Sequence, residues 1–254
     1  GFNTQIGLNF KNLNSIGKNA QNYKSSPQVE LISLLNIDSS IPMVKDTKYY
    51  TNYLTPRFSF KFNPSDMKDK SDSSNTINVG NIFNNNRLGF NDTFEAGKSL
   101  TLGLNYRKEK KDNLETNNDD LEKINKYFEI KLATVFRDKE EDFISRTSTI
   151  NRKHSNIFGS INSSLSDNLK FSYAFAVDND FNKFEYNSIN TIISLGNLKT
   201  NLNFIEENGE MGDNNIFENI TEYSFNKFNS IKFKTRRNRK IDLTEYYDLV
   251  YEYK

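Results

Sequence analysis

The sequence predicts an all-β protein, an antiparallel up-and-down β-barrel of the kind that crosses a membrane with strands. Three observations lead there. Apolar residues recur with a period of two along most of the chain, the signature of strands with one greasy face. The links between these strands alternate between long polar stretches and short ones, as the two rims of an outer-membrane barrel require. The chain is also polar on average, with a mean hydropathy of -0.76. Only 35% of its 254 residues are apolar, yet it carries 21 Phe and 13 Tyr, which a disordered polar chain would lack.

Taken in order, Ile6, Leu8 and Phe10 alternate with Gly7, Asn9 and Lys11 in a first strand, and a long polar link spans 11–28. A short link at 45–48 leads to the strand of Phe58, Phe60 and Phe62, and a long one follows at 63–80. After a short link at 96–98, Leu100, Leu102, Leu104 and Tyr106 face away from Thr101, Gly103, Asn105 and Arg107. The stretch 109–126 is long and charged; in it Asp119 and Asp120 offer a cap for a helical turn or two over 117–127. Phe128, Ile130, Leu132 and Phe136 make the next strand, with a short link at 138–141. Leu169, Phe171, Tyr173, Phe175 and Val177 form the clearest greasy face, opposite Lys170, Ser172, Ala174, Ala176 and Asp178. Leu198, Leu202 and Phe204, then Ile231 and Phe233, then Leu243, Tyr247, Leu249, Tyr251 and Tyr253 complete the series. The links at 166–168, 194–197 and 227–229 are tight, and 207–213 is longer. The pattern amounts to roughly 13 to 14 strands. By this parity Gly1 enters a strand rising outward and the last strand descends to the periplasm. Without a Gly/Pro-rich linker or a break in composition, residues 1–254 are expected to be part of one barrel domain.

Composition excludes several classes. No run approaches the ~18 apolar residues of a membrane-spanning helix. A closed antiparallel sheet satisfies its backbone internally, needs an apolar surface on one face only, and tolerates a polar lumen, so low hydropathy is what it produces. Tyr49, Tyr50 and Tyr53, and Tyr247, Tyr251 and Tyr253, suit a girdle of aromatic rings at the headgroups. Period-two alternation is shared with a soluble β-sandwich, such as an adhesin or a carbohydrate-binding module, which remains the rival fold. With 34 Lys and Arg against 33 Asp and Glu, no global field draws the chain to nucleic acid. There is no Cys and one His, so thiol chemistry is absent and zinc centres or Ser-His-Asp triads are disfavoured. Asn is so common that any single one carries little meaning. The chain starts at Gly1 with no leader pattern, which suggests a processed protein or a segment of a longer one.

Candidate chemistry is sparse. Arg236, Arg237, Arg239 and Lys240 form a basic cluster placed by parity at the external rim, where arginines can fork onto phosphates of lipopolysaccharide; a solvated loop is the plain alternative. The run Arg107 to Lys111 has the same two readings, with the solvated one preferred. DNDFNKFE from Asp178 lacks the Gly and closing Glu of a calcium loop, so Asp178 and Asp180 read as a hairpin turn. Glu140 and Glu141 read as turn charges, and His154 as solvent-facing. No residue pattern reads as an active site, and no cofactor, metal or nucleic acid is expected.

Two stretches carry a family resemblance. TRRNRKIDLTEYYDLVYEYK (Thr235 to Lys254) resembles the late barrel strands of the LPS-assembly protein family LptD, the organic solvent tolerance proteins, where a Tyr-rich strand follows an Arg-rich hairpin. Asn81 to Tyr106 is similar to the family segment in which an N-R and a G-x-D-x-x-E element precede a periplasmic turn and a T-x-G-L-x-Y strand; here those elements are Asn86, Arg87, Gly89 and Phe90, then Asn91, Asp92 and Glu95. Leu54 to Asp66 is a weaker match, and Thr93 stands where many relatives have Arg. The resemblance implies a segment of a very large outer-membrane barrel in a Gram-negative envelope, a transporter and not an enzyme. Such a barrel receives lipopolysaccharide from a periplasmic Lpt bridge and inserts it into the outer leaflet, working with an LptE-like plug lipoprotein. The family's N-terminal jelly-roll, which accepts the lipid, has no counterpart in these residues, nor do the first barrel strands that form the lateral gate with the last ones. The cysteines that tie barrel to jelly-roll are also missing. Another outer-membrane pore, a porin or a secretion barrel, is the alternative within the fold.

Overall fold

The computed structural model describes residues 1–17, 25–111 and 126–253. These form thirteen strands and one short 3-10 turn: β1 (Asn3–Ser15), β2 (Gln28–Ser40), β3 (Met43–Asp46), β4 (Tyr50–Asn63), β5 (Gly97–Lys110), β6 (Tyr127–Arg137), β7 (Ile157–Ser166), β8 (Leu169–Val177), β9 (Phe184–Leu195), β10 (Leu198–Glu207), β11 (Asn214–Ser224), β12 (Asn229–Asn238) and β13 (Leu243–Tyr253). The order is an antiparallel meander from β1 to β13, with β3 paired to β4 beside the main path. The expected all-β, up-and-down architecture is therefore the observed one. The candidate helix at 117–127 lies almost wholly outside the described residues.

The strands belong to two compact units, and several strands pass from one to the other. The first comprises Gly1–Ile41, Pro56–Gly103 and Ala133–Asn156. In it β1 and β2 pair from Asn3↔Ser40 to Ser15↔Gln28, and β2 pairs on with β4 from Leu35↔Phe62 to Ser40↔Arg57. Alternation puts Ile6, Leu8 and Phe10 on an exposed apolar face. The opposite face carries Ile32, Leu34 and Asn36, all buried. Ile32 and Leu34 cluster with Phe94 of the link over 64–96, and Leu13 packs against them; Met67, Ile77, Ile82, Leu88 and Phe90 of that link, and Ile144 and Ile150 of the link over 138–156, are buried as well.

Here structure and sequence pattern part. A loop at 63–80 and a short link at 96–98 were expected to flank a further stretch, and a short link was expected at 138–141; instead 64–96 and 138–156 are continuous links without a strand. The physical reason is visible in NIFNNNRLGFNDTFE, where apolar residues fall at irregular spacing and Asn side chains and Gly89, at φ 72, bend the backbone. The missing strand also shifts the parity of the links beyond it. Lys111 N–H donates to Tyr49 O at 2.9 Å and Lys110 N–H to Lys126 O at 2.9 Å, so the long link 111–126 starts and finishes beside the tight turn 47–49.

The second unit comprises Pro42–Thr55, Leu104–Leu132 and Ile157–Lys254. Its β7 to β13 form consecutive hairpins, with tight links at 167–168, 196–197 and 225–228 at one end and longer ones at 178–183 and 208–213 at the other. Gly196, at φ 56, supplies the left-handed residue that a two-residue hairpin demands. Register sorts the side chains into two faces. One row of the apolar face reads Leu195, Leu198, Tyr223, Ile231 and Tyr251 across five strands. The other face carries Lys232 between Glu222, at 3.5 Å, and Glu252, at 3.2 Å, and an Asn190–Asn201 side-chain hydrogen bond of 2.8 Å.

On the apolar face, Gly159 of β7 lies opposite Phe175 of β8. A Cβ at Gly159 would stand 2.1 Å from the Phe175 ring, which is stacked on Tyr173 at 5.3 Å and edge-on to Phe184 at 6.0 Å. Gly159→Ala is expected to displace the ring and destabilise the sheet by about 1–3 kcal/mol. Urea unfolding in detergent micelles reads this; an unchanged midpoint would show that the ring moves freely.

Candidate functional site

The first unit is organised around a buried ionic cluster. The side chain of Arg87 is 0% exposed and that of Glu95 11% exposed. Arg87 Nε donates to Glu95 Oε1 at 2.6 Å and Nη2 to Oε2 at 2.5 Å, the two-pronged fork that guanidinium and carboxylate geometry favours. Arg87 Nη1 also donates to Thr101 Oγ1 at 2.9 Å and Ile82 O at 3.4 Å, and Nη2 to Ser99 Oγ at 3.1 Å. All five N–H groups of the guanidinium therefore have partners. Arg137, also 0% exposed, reaches Glu95 Oε2 at 3.4 Å and donates to Ala96 O at 2.5 Å. Arg87 and Glu95 sit on the link, Ser99 and Thr101 on β5, Arg137 on β6, so the cluster ties an irregular segment to two strands.

A second set of contacts does the same for the backbone of the link. Irregular backbone that is buried still needs hydrogen-bond partners, and side chains provide them. Lys11 Nζ of β1 donates to Phe90 O at 2.5 Å and Thr93 O at 2.7 Å, Lys61 of β4 donates to Asn84 O, and Asn63 Nδ2 donates to Phe94 O at 3.3 Å. Inside the link, Asn86 Oδ1 accepts the Phe90 N–H at 3.0 Å while its Nδ2 donates to Phe90 O at 2.8 Å, closing a turn at Gly89. Asp92 pairs with Lys70 at 3.0 Å.

Burial works to raise the Glu95 pKa, but the charge of Arg87 and its hydrogen bonds, then Lys61 and Arg137, more than offset it and hold the carboxyl at about 2. The carboxylate is thus ionised at any physiological pH. The cluster brings three cations to one carboxylate, and its geometry is that of a lock between segments.

The basic residues expected at a rim are arranged otherwise. Arg236 is on the polar face of β12, 3.3 Å from Glu218 and 2.8 Å from Glu245. Arg237 pairs with Asp242 and Lys240 with Asp213, while the Arg239 guanidinium lies 5.8 Å from the Phe204 ring centre. Alternation separates Arg236 from Arg237, and each has its own partner, so the four do not form one open patch. In the run 107–111, Arg107 pairs with Glu109 at 2.6 Å and Lys111 with Asp46 at 2.9 Å. Asp178 Oδ1 accepts the N–H groups of Asn182 and Lys183 at 2.7 and 3.0 Å, as a hairpin turn does. His154 is exposed and edge-on to Phe136 at 5.6 Å. Lys11, Lys61 and Arg137 were not singled out by sequence reasoning; Arg137 follows Ala133 and Val135 on its strand face, a signal that marks it, whereas Lys11 and Lys61 stand beside Asn9 and Asn63 and carry none.

Comparison with known proteins gives one informative match. The family model described as LptD: LPS transport system D matches residues 3–232. No curated protein matches the chain. Among solved structures, a five-substitution mutant of the Rh. blastica porin is similar at a TM-score of 0.31 and 7% identity, over 98% of this chain and 99% of that one.

Removing one partner of the cluster leaves charge buried without compensation. Glu95→Gln is expected to cost about 3–5 kcal/mol, and Arg87→Lys, which keeps the charge and loses the fork, to recover only part of what Arg87→Ala loses. Chemical unfolding in micelles measures both. Because the Glu95 pKa is depressed, its contribution is fully present above its ordinary value of 4.5 and is lost as pH falls through about 2. Protease resistance of the 64–96 link should therefore hold at pH 5 and fade progressively below pH 4; resistance unchanged down to pH 2 would contradict the lock.

Proposed function

The chain belongs to the LptD family, and from that premise we propose that residues 1–254 are part of one β-barrel domain in the outer membrane of a Gram-negative cell, the wall of a translocon that inserts lipopolysaccharide into the outer leaflet. The family match over residues 3–232 carries this reading. The meander of long strands with an apolar and a charged face supports it, since a barrel in lipid must offer hydrocarbon outside and water inside. The tight turns 167–168, 196–197 and 225–228 then face the periplasm, and the links 178–183, 208–213 and 239–242 face outward.

The work of such a wall is partition, with no covalent step and no catalytic residue. Acyl chains favour the lipid side, while sugars and phosphates stay with the hydrated, charged face. In this reading the protein receives its cargo from a periplasmic Lpt bridge through an N-terminal domain and works with an LptE-like plug lipoprotein. Arg236, Arg237, Arg239 and Lys240 contact lipopolysaccharide phosphates at the outer rim. Arg237, Arg239 and Lys240 are exposed, and the carboxylates that Arg237 and Lys240 hold, Asp242 and Asp213, are ones a phosphate can displace, because solvent-exposed ion pairs are weak. Arg236, half-buried between two carboxylates, holds the β11–β12–β13 ladder in place behind them.

Charge reversal of Arg237, Arg239 and Lys240 together to Glu in the full-length protein is expected to reduce lipopolysaccharide at the cell surface several-fold and to sensitise cells to large hydrophobic antibiotics, with barrel folding intact by heat-modifiable mobility. Normal surface lipopolysaccharide would remove these residues from the path. Free ion conduction by the full-length protein in planar bilayers would favour a passive pore over a translocon.

A further inference from the structure

We infer that the β3–β4 hairpin carries a binding groove for one anionic glycerophospholipid of the periplasmic leaflet. The inference rests on the barrel reading above and adds a ligand to a surface that the translocation path does not use. The groove has a volume of about 440 Å³, within the size range of small-molecule sites; Met43, Lys45, Asn52, Leu54 and Tyr106 line it together with Val44, Thr47 and Tyr53.

Register explains its chemistry. Met43 lies opposite Leu54, and Lys45 opposite Asn52, so these four side chains share one face of the strand pair. Tyr106 of β5 joins that face, since its hydroxyl donates to Asn52 Oδ1 at 3.0 Å. One row towards the turn, Lys108 Nζ lies 4.1 Å from the centre of the Tyr50 ring. Along β5 the same face runs Leu100, Leu102, Leu104, Tyr106, Lys108. The surface therefore grades from aliphatic, through aromatic with a hydroxyl, to cationic within a few residues at about 3.4 Å each, the order in which a lipid presents acyl chain, glycerol and phosphate.

Charge selects the occupant. Neither Lys45 nor Lys108 has a carboxylate partner among the described residues; the nearby Asp46 is held by Lys111 at 2.9 Å and by the Thr51 hydroxyl at 2.7 Å. Two ammonium groups with no carboxylate partner among the described residues, above an apolar groove, fit a phosphodiester with an acyl chain below it. Place in the fold selects the source. The turn 47–49 lies beside the ends of β5 and β6, and Ser163 Oγ near the end of β7 donates to Tyr127 O at 3.1 Å, so the groove is at the same end as the tight turn 167–168. That end faces the periplasm, and the lipid belongs to that leaflet.

The test uses the full chain folded into nanodiscs of phosphatidylcholine and phosphatidylglycerol in equal parts, then extracted into mild detergent and weighed intact by native mass spectrometry. One phosphatidylglycerol is expected to be retained per chain, with phosphatidylcholine retained at least tenfold less. Lys45→Glu with Lys108→Glu should lower the retained phosphatidylglycerol at least tenfold, and Leu54→Trp, which fills the apolar part, should lower it as well. Equal retention of the two lipids, or retention unchanged in the double lysine variant, overturns the proposal while leaving the barrel reading intact. A chain that stays in solution and never enters the nanodisc overturns the barrel reading itself.

Discussion

The fork between Arg87 and Glu95 is the constraint on which the first unit depends. A link running from 64 to 96 lies buried against strands, although irregular backbone ordinarily belongs at the surface where water can satisfy it. Folding such a segment inward is costly unless every polar group finds a partner. The guanidinium answers that requirement at one point, spending all of its N–H groups on the carboxylate of its own link, on a carbonyl and on two hydroxyls of β5. A lysine has three donors on a flexible stem and cannot span those directions. Glu95 then bridges to Arg137 of β6, so one carboxylate couples two otherwise separate segments.

The same constraint accounts for the distribution of polar residues among the strands. Lys11, Lys61 and Asn63 occupy inward positions where an apolar residue would pack well, yet each is needed to donate to a carbonyl of the link. The strands thereby keep an apolar face on one side only, and the mean hydropathy of -0.76 follows from what the other side must do. In the second unit the described residues of the polar face pair across strands. Lys232 and Arg236 of β12 are set between carboxylates of β11 and β13, and Lys234 pairs with Asp248 of β13.

Strands were legible because their signal is local. Phe58, Phe60 and Phe62, or Leu169 to Val177, announce a face without reference to anything distant. The links were not legible, because a segment that folds onto a sheet uses irregular spacing and borrows its partners from far along the chain. Asn63 and Asn86 are indistinguishable in the sequence from the many Asn residues around them, and only the carbonyl each one meets gives it a role. Arg87 and Glu95 stood out through the family-like element around them, but a motif does not say that the pair is buried. The basic cluster at 236–240 was visible as a run of cations, whereas its neutralising partners, Glu218, Asp213, Asp242 and Glu245, are brought to it by hairpin register. Sequence proximity overstated how open that patch is.

Magnitudes then decide which parts of this wall can exchange partners and which must stay fixed. Opening the Arg87–Glu95 fork would strand ions away from water, at several kcal/mol for each, against a total domain stability of only about 5–15 kcal/mol. A link held that way stays fixed against the strands it is tied to. The ion pairs at the far end of β12 are of a different kind. Arg237 and Lys240 keep 51% and 44% of their side chains exposed, so solvent screening leaves little to lose when they separate from Asp242 and Asp213. A charge-assisted bond to an arriving phosphate is worth as much as that, and the exchange is close to balanced. Near balance is what transport requires, since a site that bound its cargo tightly would not release it. The buried fork keeps its own link fixed, whereas the exposed pairs at the far end of β12 are ones that an anion can exchange into.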